Sequence, residues 1–165
     1  MSQIKKVTCH VVAAPVQKPF TSSRGWIYKT RGSCIVEIET NDGIVGWGEC
    51  YGPSAVAKAF IDTQFGPRII GRDPFDVEVI WEDLYNRIKD YGTTGMAISA
   101  ISGIDIALWD IIGKSCGKPI HKLIGGSYRD EVTAYATGLY FIDMDRLIEE
   151  AVEEAIEFKQ NGFTA

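Results

Sequence analysis

The sequence predicts an α+β protein in which a three-stranded antiparallel meander is followed by helices and then by the beginning of a strand–helix unit. Residues 33–40 alternate and are rich in β-branched side chains, and Asn41-Asp42-Gly43 supplies a tight turn before a returning strand at residues 44–50. A long apolar stripe with helical spacing then covers residues 95–116. Together these patterns indicate a small sheet covered by helices.

The first strand is predicted at residues 4–13, and PVQKPFTSSRGWIYKTRG connects it to the second. This connection is too long for a minimal hairpin, so we expect a polar and aromatic loop of functional length. The loop Phe20–Tyr28 combines hydroxyls, Arg24 and aromatic rings. Because a guanidinium is a forked donor, the mixture suits an oxygen-rich anion. On composition alone, a merely solvated loop remains an alternative.

The helices are marked by their caps and by their apolar periodicity. A short alanine-rich helix is predicted at residues 54–63. The next has Asp73 as a candidate N-cap, Pro74 at its first position and Gly92 just beyond its end. In the third, the small residues Ser99, Ala100, Ser102 and Gly103 would let another element approach closely.

The third helix also carries charges that could be mistaken for catalysts. Asp105 and Asp110 are five residues apart, about 140° around a helix, so they do not form an acid–base pair. Asp110 and Lys114 are spaced i, i+4, and we expect a structural ion pair. For Glu49 in the motif GWGE, a structural role at a strand end is favoured over a catalytic one. Reasoning from the residues alone finds no catalyst.

The pattern changes after residue 126. Residues 131–138 are predicted as a strand, Asp143 or Asp145 as the cap of a helix, and Asn161-Gly162 as its end. A parallel strand–helix–strand unit needs neighbouring strands to be covered. We therefore expect the natural protein to continue beyond residue 165.

Composition limits the partners. A net charge of −5 and a pI near 5.1 argue against a nucleic-acid partner. We expect no membrane-spanning segment, because a span needs an apolar run of roughly 20 residues. No signal peptide is evident, so a cytoplasmic location is expected. The four cysteines have no metal-ligand spacing and are expected to be reduced, and the two histidines are expected to be structural.

Several fixed spacings resemble one known family. They include Gly46-Trp47-Gly48-Glu49, Ser102-Gly103-Ile104-Asp105-x-Ala107-Leu108-Trp109-Asp110, Gly113-Lys114 and Leu123-Ile124-Gly125. The chain resembles the mandelate racemase/muconate lactonizing enzyme family of the enolase superfamily, particularly its galactarolactone cycloisomerase and sugar-acid dehydratase branch. The resemblance implies an enolase-like N-terminal capping domain at residues 1–126 and the start of a truncated TIM-type barrel at residues 127–165.

The resemblance also implies the chemistry. The family uses Mg²⁺ to stabilise the enediolate that forms when a base removes the α-proton of a carboxylate. The metal ligands and a Lys-x-Lys motif are expected beyond residue 165, so no catalytic or metal-binding residue is assigned within the chain. The candidate substrate-binding residues are Ser22, Ser23, Arg24, Trp26, Tyr51 and Tyr140.

The expected substrate is a sugar acid or its lactone, and the expected reaction is dehydration or cycloisomerisation by a homo-oligomer. Alternatives are a racemase or epimerase, a muconate-type cycloisomerase, or a non-catalytic binding or assembly module. The chain alone is expected to be inactive.

Overall fold

The computed structural model describes residues 2–22 and 26–164. These residues fall into two compact units. The sheet–helix unit contains the chain up to Ala13 together with Gly32–Ser127, and the hairpin unit contains Ala14–Arg31 together with the chain from Tyr128 onward. The hairpin unit is therefore assembled from two segments that are distant in sequence.

The predicted meander is confirmed. Strands β1 (Ile4–Thr21), β2 (Ile27–Thr40) and β3 (Val45–Cys50) form a three-stranded sheet in the order β1-β2-β3. Strands β2 and β3 are antiparallel, in a register that runs from Cys34 opposite Cys50 to Glu39 opposite Val45. Gly43, at φ 88°, provides the left-handed position that the turn between them requires.

The prediction of a loop between the first two strands was wrong for residues 14–21 and 27–32, which belong to strands. Strand β1 continues to Thr21 and β2 begins at Ile27. Strand β1 accommodates Pro15 and Pro19 because it lies at the edge of the sheet. An edge strand needs ladder donors on one side only, and two prolines four residues apart present their nitrogens on the same side.

Helices follow the sheet along the chain. They are α1 (Ser54–Phe60), a π-helical turn (Ile61–Phe65), α2 (Gly66–Ile69), α3 (Val77–Arg87), a 3-10 turn (Lys89–Tyr91), α4 (Met96–Cys116) and α5 (Ile120–Leu123). The start predicted for α3 at Asp73 was wrong by about one turn. The Phe75 amide donates to Asp73 Oδ1 at 2.9 Å, so this carboxylate closes a turn before the helix, and Asp76 is the N-cap residue.

Helix α4 lies directly on β3, as its small residues predicted. An added Cβ at Gly48 would overlap the carbonyl oxygen of Gly103, and one at Gly46 would overlap that of Ala107. An added Cβ at Gly103 would in turn overlap Cys50 Sγ. The glycines of the GWGE motif therefore allow the helix backbone to approach the strand.

Among the described residues, α4 is also the one helix long and apolar enough to cross a membrane, although no apolar run of that length was expected from the sequence. Of its most apolar window, 56% is buried inside the protein, as expected of a core helix. Its buried side chains include Ile101, Ile104, Leu108 and Ile111, which form one core with Val36 and Ile38 of β2.

The predicted ion pair between Asp110 and Lys114 is confirmed, and both side chains also contact strand β3. Lys114 Nζ lies 2.6 Å from Asp110 Oδ2. The Trp47 amide donates to the same carboxylate oxygen at 2.9 Å, and Lys114 Nζ donates to the Val45 carbonyl at 2.7 Å. The two side chains thus bind backbone groups of β3.

Replacing Asp110 with alanine should lower the free energy of unfolding by about 1 kcal/mol, because the Trp47 amide loses its acceptor. Asp62→Ala is a matched control, since Asp62 forms an i, i+4 pair with Lys58 at 2.8 Å. A helical pair of that kind contributes only about 0.3–0.5 kcal/mol. Urea midpoints would compare the two variants, and equal losses would contradict the role given to the backbone contact.

Three of the four cysteines, Cys9, Cys34 and Cys50, are buried, and Cys116 is exposed; all four are free thiols. Burial raises the pKa of Cys9 and of Cys50 from 9.0 to about 12, with the neighbouring Cys34 adding to both shifts.

These thiols should make the fold less stable at alkaline pH. The unfolded thiols lose their protons near pH 9.0, whereas the folded ones keep them to about pH 12. Their contribution is therefore complete below pH 9 and is lost as the pH rises toward 12. Urea midpoints measured across this window should fall less steeply in Cys9→Ala than in the parent, while Cys116→Ala should follow the parent. Identical slopes in all three proteins would exclude a contribution from the buried thiol.

The segment from residue 128 contains one helix and no strand of its own among the described residues. The strand predicted at residues 131–138 was wrong, because this segment has no ladder of backbone hydrogen bonds to a neighbouring strand. Asp143 Oδ1 accepts from the Asp145 amide at 2.9 Å and caps a 3-10 turn (Met144–Arg146) that leads into α6 (Leu147–Gln160). Helix α6 ends at Asn161 and Gly162, as predicted.

Candidate functional site

The end of the β1–β2 hairpin pairs with the segment before α6, inside the hairpin unit. The Thr21 amide donates to the Phe141 carbonyl at 2.7 Å, and the Phe141 amide donates to the Thr21 carbonyl at 3.0 Å. Thr21 is buried, and the Ser22 amide donates to the Trp26 carbonyl at 3.2 Å, which brings the two strand ends together. A short antiparallel bridge therefore holds the hairpin end.

An aromatic–arginine stack, formed by Phe20, Tyr28, Arg31 and Tyr140, surrounds this bridge. The rings of Phe20 and Tyr28 are stacked with centroids 5.0 Å apart, and Tyr140 tilts onto Phe20 at 4.9 Å. The Arg31 guanidinium lies 5.0 Å from the Tyr28 centroid and 5.5 Å from that of Phe20. Both distances fall within the range of cation–π attraction.

The turn that carries Tyr140 is strained and is braced by carboxylates of α6. Leu139 has φ 60°, a left-handed conformation that is unfavourable for a leucine. Its amide donates to Glu154 Oε2 at 2.6 Å, and the Ile142 and Asp143 amides donate to Glu150 Oε2 at 3.1 and 3.2 Å. Strained turns of this kind often occur at functional sites.

Glu150 and Glu154 were missed by the sequence analysis. Their i, i+4 spacing on one face of α6 was a usable signal, because two carboxylates on one face can accept from a nearby turn. The sequence offered no indication of which turn that would be.

The candidate residues are distributed over both units. Ser22, Trp26 and Tyr140 lie at the hairpin end, where Ser22 is half-buried and Trp26 is 69% exposed. Tyr51 belongs to the sheet–helix unit, has a fully solvated ring at 90% exposure, and accepts a hydrogen bond at its carbonyl from Ser99 Oγ. Ser23 and Arg24 lie outside the described residues.

Two other acidic residues, Glu49 and Asp105, lie outside the hairpin unit and contact neighbouring residues of the sheet–helix unit. Glu49 accepts from Ser33 Oγ at 2.6 Å across β2 and β3, which agrees with the structural role favoured for it. Burial raises the pKa of Asp105, and the charge of Glu78 adds to the shift.

The described residues do not fit a magnesium site. In residues 2–22 and 26–164, no group of three or more His, Cys, Asp or Glu side chains could hold a metal ion. Glu150 and Glu154 instead accept from backbone amides of the turn before α6.

An open groove of about 910 Å³ lies between residues 135–139 and α6, and it is mainly apolar.

A three-stranded meander covered by α4 defines a capping domain of the enolase type. Residues 5–125 match the model of the N-terminal domain of mandelate racemase and muconate lactonizing enzyme, and the chain belongs to this family. This confirms the resemblance and the fold class predicted from the sequence.

Relatives within the family include enzymes of sugar-acid metabolism. The chain is 43% identical over 164 residues to D-galactarolactone cycloisomerase of Agrobacterium fabrum, covering 99% of this chain and 43% of the relative. It is 41% identical to 3,6-anhydro-D-galactonate cycloisomerase from Zobellia galactanivorans, whose structure it matches with a TM-score of 0.80. The match covers 98% of this chain and 41% of that one.

A third relative is L-talarate/galactarate dehydratase from Salmonella typhimurium, solved with Mg and L-lyxarohydroxamate. The identity is 28%, the TM-score is 0.80, and coverage is 98% of this chain and 42% of that one. The chain thus spans about two fifths of the length of these relatives.

Proposed function

We propose that the chain is the N-terminal part of a magnesium-dependent enzyme that removes the α-proton of a sugar-acid carboxylate, as a dehydratase or a sugar-lactone cycloisomerase. The observation that carries the proposal is the 43% identity over 99% of this chain to D-galactarolactone cycloisomerase. Likeness to both a cycloisomerase and a dehydratase supports the shared step, in which a carboxylate loses its α-proton.

In this proposal, residues 1–126 form the cap and residues 127–165 begin the barrel. The open apolar groove beside residues 135–139 supports the second part, because strands of a parallel barrel are covered on both faces. Catalytic residues of TIM-type barrels come from the C-terminal ends of the strands. The turn around Leu139 would then lie at the C-terminal end of the first barrel strand.

The residues of this chain would bind and enclose the substrate. Ser22, Ser23 and Arg24 offer donors for the oxygens remote from the reacting carbon, and Arg24 can hold a carboxylate through two parallel hydrogen bonds. Trp26, Tyr51 and Tyr140 would exclude water from the reacting carbon, where a charged intermediate is short-lived in bulk solvent.

Magnesium would supply stabilisation of the developing enediolate, and we place its ligands beyond residue 165. The dehydratase relative, which was solved with Mg, supports the dependence on this metal. The acidic net charge of −5 supports a small-molecule substrate rather than a nucleic acid, and we extend the proposal to a cytoplasmic homo-oligomer.

The test is to incubate the full-length protein, with Mg²⁺ in D₂O, with D-galactarolactone, 3,6-anhydro-D-galactonate and galactarate. Proton NMR should show loss of the α-proton signal and a dehydrated or ring-opened product. Exchange of the α-proton with inversion and no elimination would replace the proposal with a racemase or epimerase. Complete inertness toward a broad sugar-acid panel would favour a non-catalytic module.

A purified chain verified to end at residue 165 should turn over none of these compounds, because its described residues supply no metal ligand set. The same NMR assay would measure this, with the full-length protein as the positive control. Product formed by the isolated chain would contradict the proposal that the metal ligands lie beyond residue 165.

A further inference from the structure

Among the described residues, the hairpin end pairs with the segment before α6 through one isolated antiparallel bridge, between Thr21 and Phe141. Two backbone hydrogen bonds join Thr21 to Phe141. Each such bond contributes only modest net stability, because folding exchanges hydrogen bonds to water for hydrogen bonds within the protein. The aromatic–arginine stack has members on both sides of this bridge, because Phe20 contacts Tyr140, and it can therefore add to the stability of the bridge.

Within the stack, Phe20 precedes Thr21 and Tyr140 precedes Phe141, so their ring contact lies beside the bridge. Tyr28 comes from the opposite hairpin arm and stacks on Phe20. Arg31 covers both of these rings. A cation over stacked aromatic faces restrains the rings without needing a carboxylate partner.

An ordinary surface ion pair does not explain the position of Arg31. Among the residues that the structure describes, no carboxylate lies within ion-pair distance of it, whereas Arg146 of the same unit lies 3.3 Å from Glu153. The arginine is exposed, yet its planar head is directed onto rings. Its contacts are therefore specific to the stack.

We propose that Arg31 is a positioning residue whose cation–π contacts fix the hairpin end against the strained turn at Leu139, and thereby set the placement of Ser22 and Trp26 for the substrate. The part about substrate rests on the function proposed above. The part about the hairpin depends only on the contacts within this unit.

Amide hydrogen exchange of the full-length protein tests the hairpin part. In Arg31→Met, which keeps a long apolar stem but removes the charge, exchange at the Thr21 and Phe141 amides should accelerate by about two- to thirtyfold. Arg31→Lys should show a smaller increase. Arg146→Ala is the matched control and should change neither amide, and unchanged exchange in α4 confirms that each variant is folded. Unaltered protection of Thr21 and Phe141 in Arg31→Met would overturn the proposal.

Steady-state kinetics on the sugar acid that the full-length protein turns over test the second part. Arg31→Met should raise KM several-fold with a smaller effect on kcat, and Arg31→Lys should restore much of the affinity. Faster exchange with an unchanged KM would show that the stack is structural only and would overturn the positioning role. If the wild type turns over no sugar acid, the proposed function fails, and the exchange experiment alone decides whether Arg31 fixes the hairpin.

Discussion

Gly48→Ala should lower the free energy of unfolding by about 3 kcal/mol, at the upper end of what overpacking costs. The new methyl group would overlap the carbonyl oxygen of Gly103 and lie 2.9 Å from the Ala107 amide nitrogen. Both are backbone atoms of α4, so no side-chain rotation can relieve the clash. For a protein of this size, the melting temperature should fall by roughly 6–12 °C in calorimetry.

Gly32→Ala is the matched control in the same sheet. The nearest atom to its added methyl would be the Val12 carbonyl oxygen at 3.5 Å, an ordinary van der Waals contact. Alanine also restricts the unfolded chain, so this variant should be neutral or slightly more stable. Gly103→Leu should resemble Gly48→Ala, because its side chain would enter the space of Cys50. Equal melting temperatures for the Gly32 and Gly48 variants would show that α4 moves away from β3 at little cost.

Arg24→Ala in the full-length enzyme should reduce kcat/KM by about ten- to a hundredfold, the loss of a charge-assisted hydrogen bond to a substrate anion. The expectation comes from the sequence, in which Arg24 follows two serines and precedes Trp26 within the predicted polar and aromatic loop. Arg24→Lys should recover only part of the loss, because lysine keeps the charge without the planar fork.

Lys29→Ala provides the comparison, since Lys29 is an exposed cation on the same hairpin. It should leave kcat/KM nearly unchanged. Kinetics on the natural substrate, with melting curves to confirm folding, separate the two variants. If Arg24→Ala retained the wild-type value of kcat/KM, the anion-binding role would have to be abandoned.

The sequence predicted correctly those elements that are determined by residues close together in the chain. Helix α4 was expected at residues 95–116 and runs over Met96–Cys116, because its apolar stripe is long and regular. The turn at Gly43 was equally clear, since its residues require a specific backbone geometry. The start of α3 was misplaced because an aspartate can cap a turn as well as a helix.

The features that depend on distant segments could not be predicted. The hairpin arms were predicted as a loop because the connection is too long for a minimal hairpin, and the position of β1 at the sheet edge accommodates Pro15 and Pro19 within a strand. The contact of Phe20 with Tyr140 and that of Leu139 with Glu154 likewise join residues that are not neighbours in the chain. The sequence carried the candidate residue types but not these partners.

The discontinuity of the hairpin unit has a consequence for biosynthesis. Every residue of the sheet–helix unit precedes Tyr128, so this unit can fold on the ribosome as soon as that stretch has emerged. The Thr21 backbone, by contrast, must wait for Phe141 to be translated before it can pair. During that interval the ring of Phe20 lacks its contact with Tyr140 and is an aromatic surface open to chaperones and to other nascent chains.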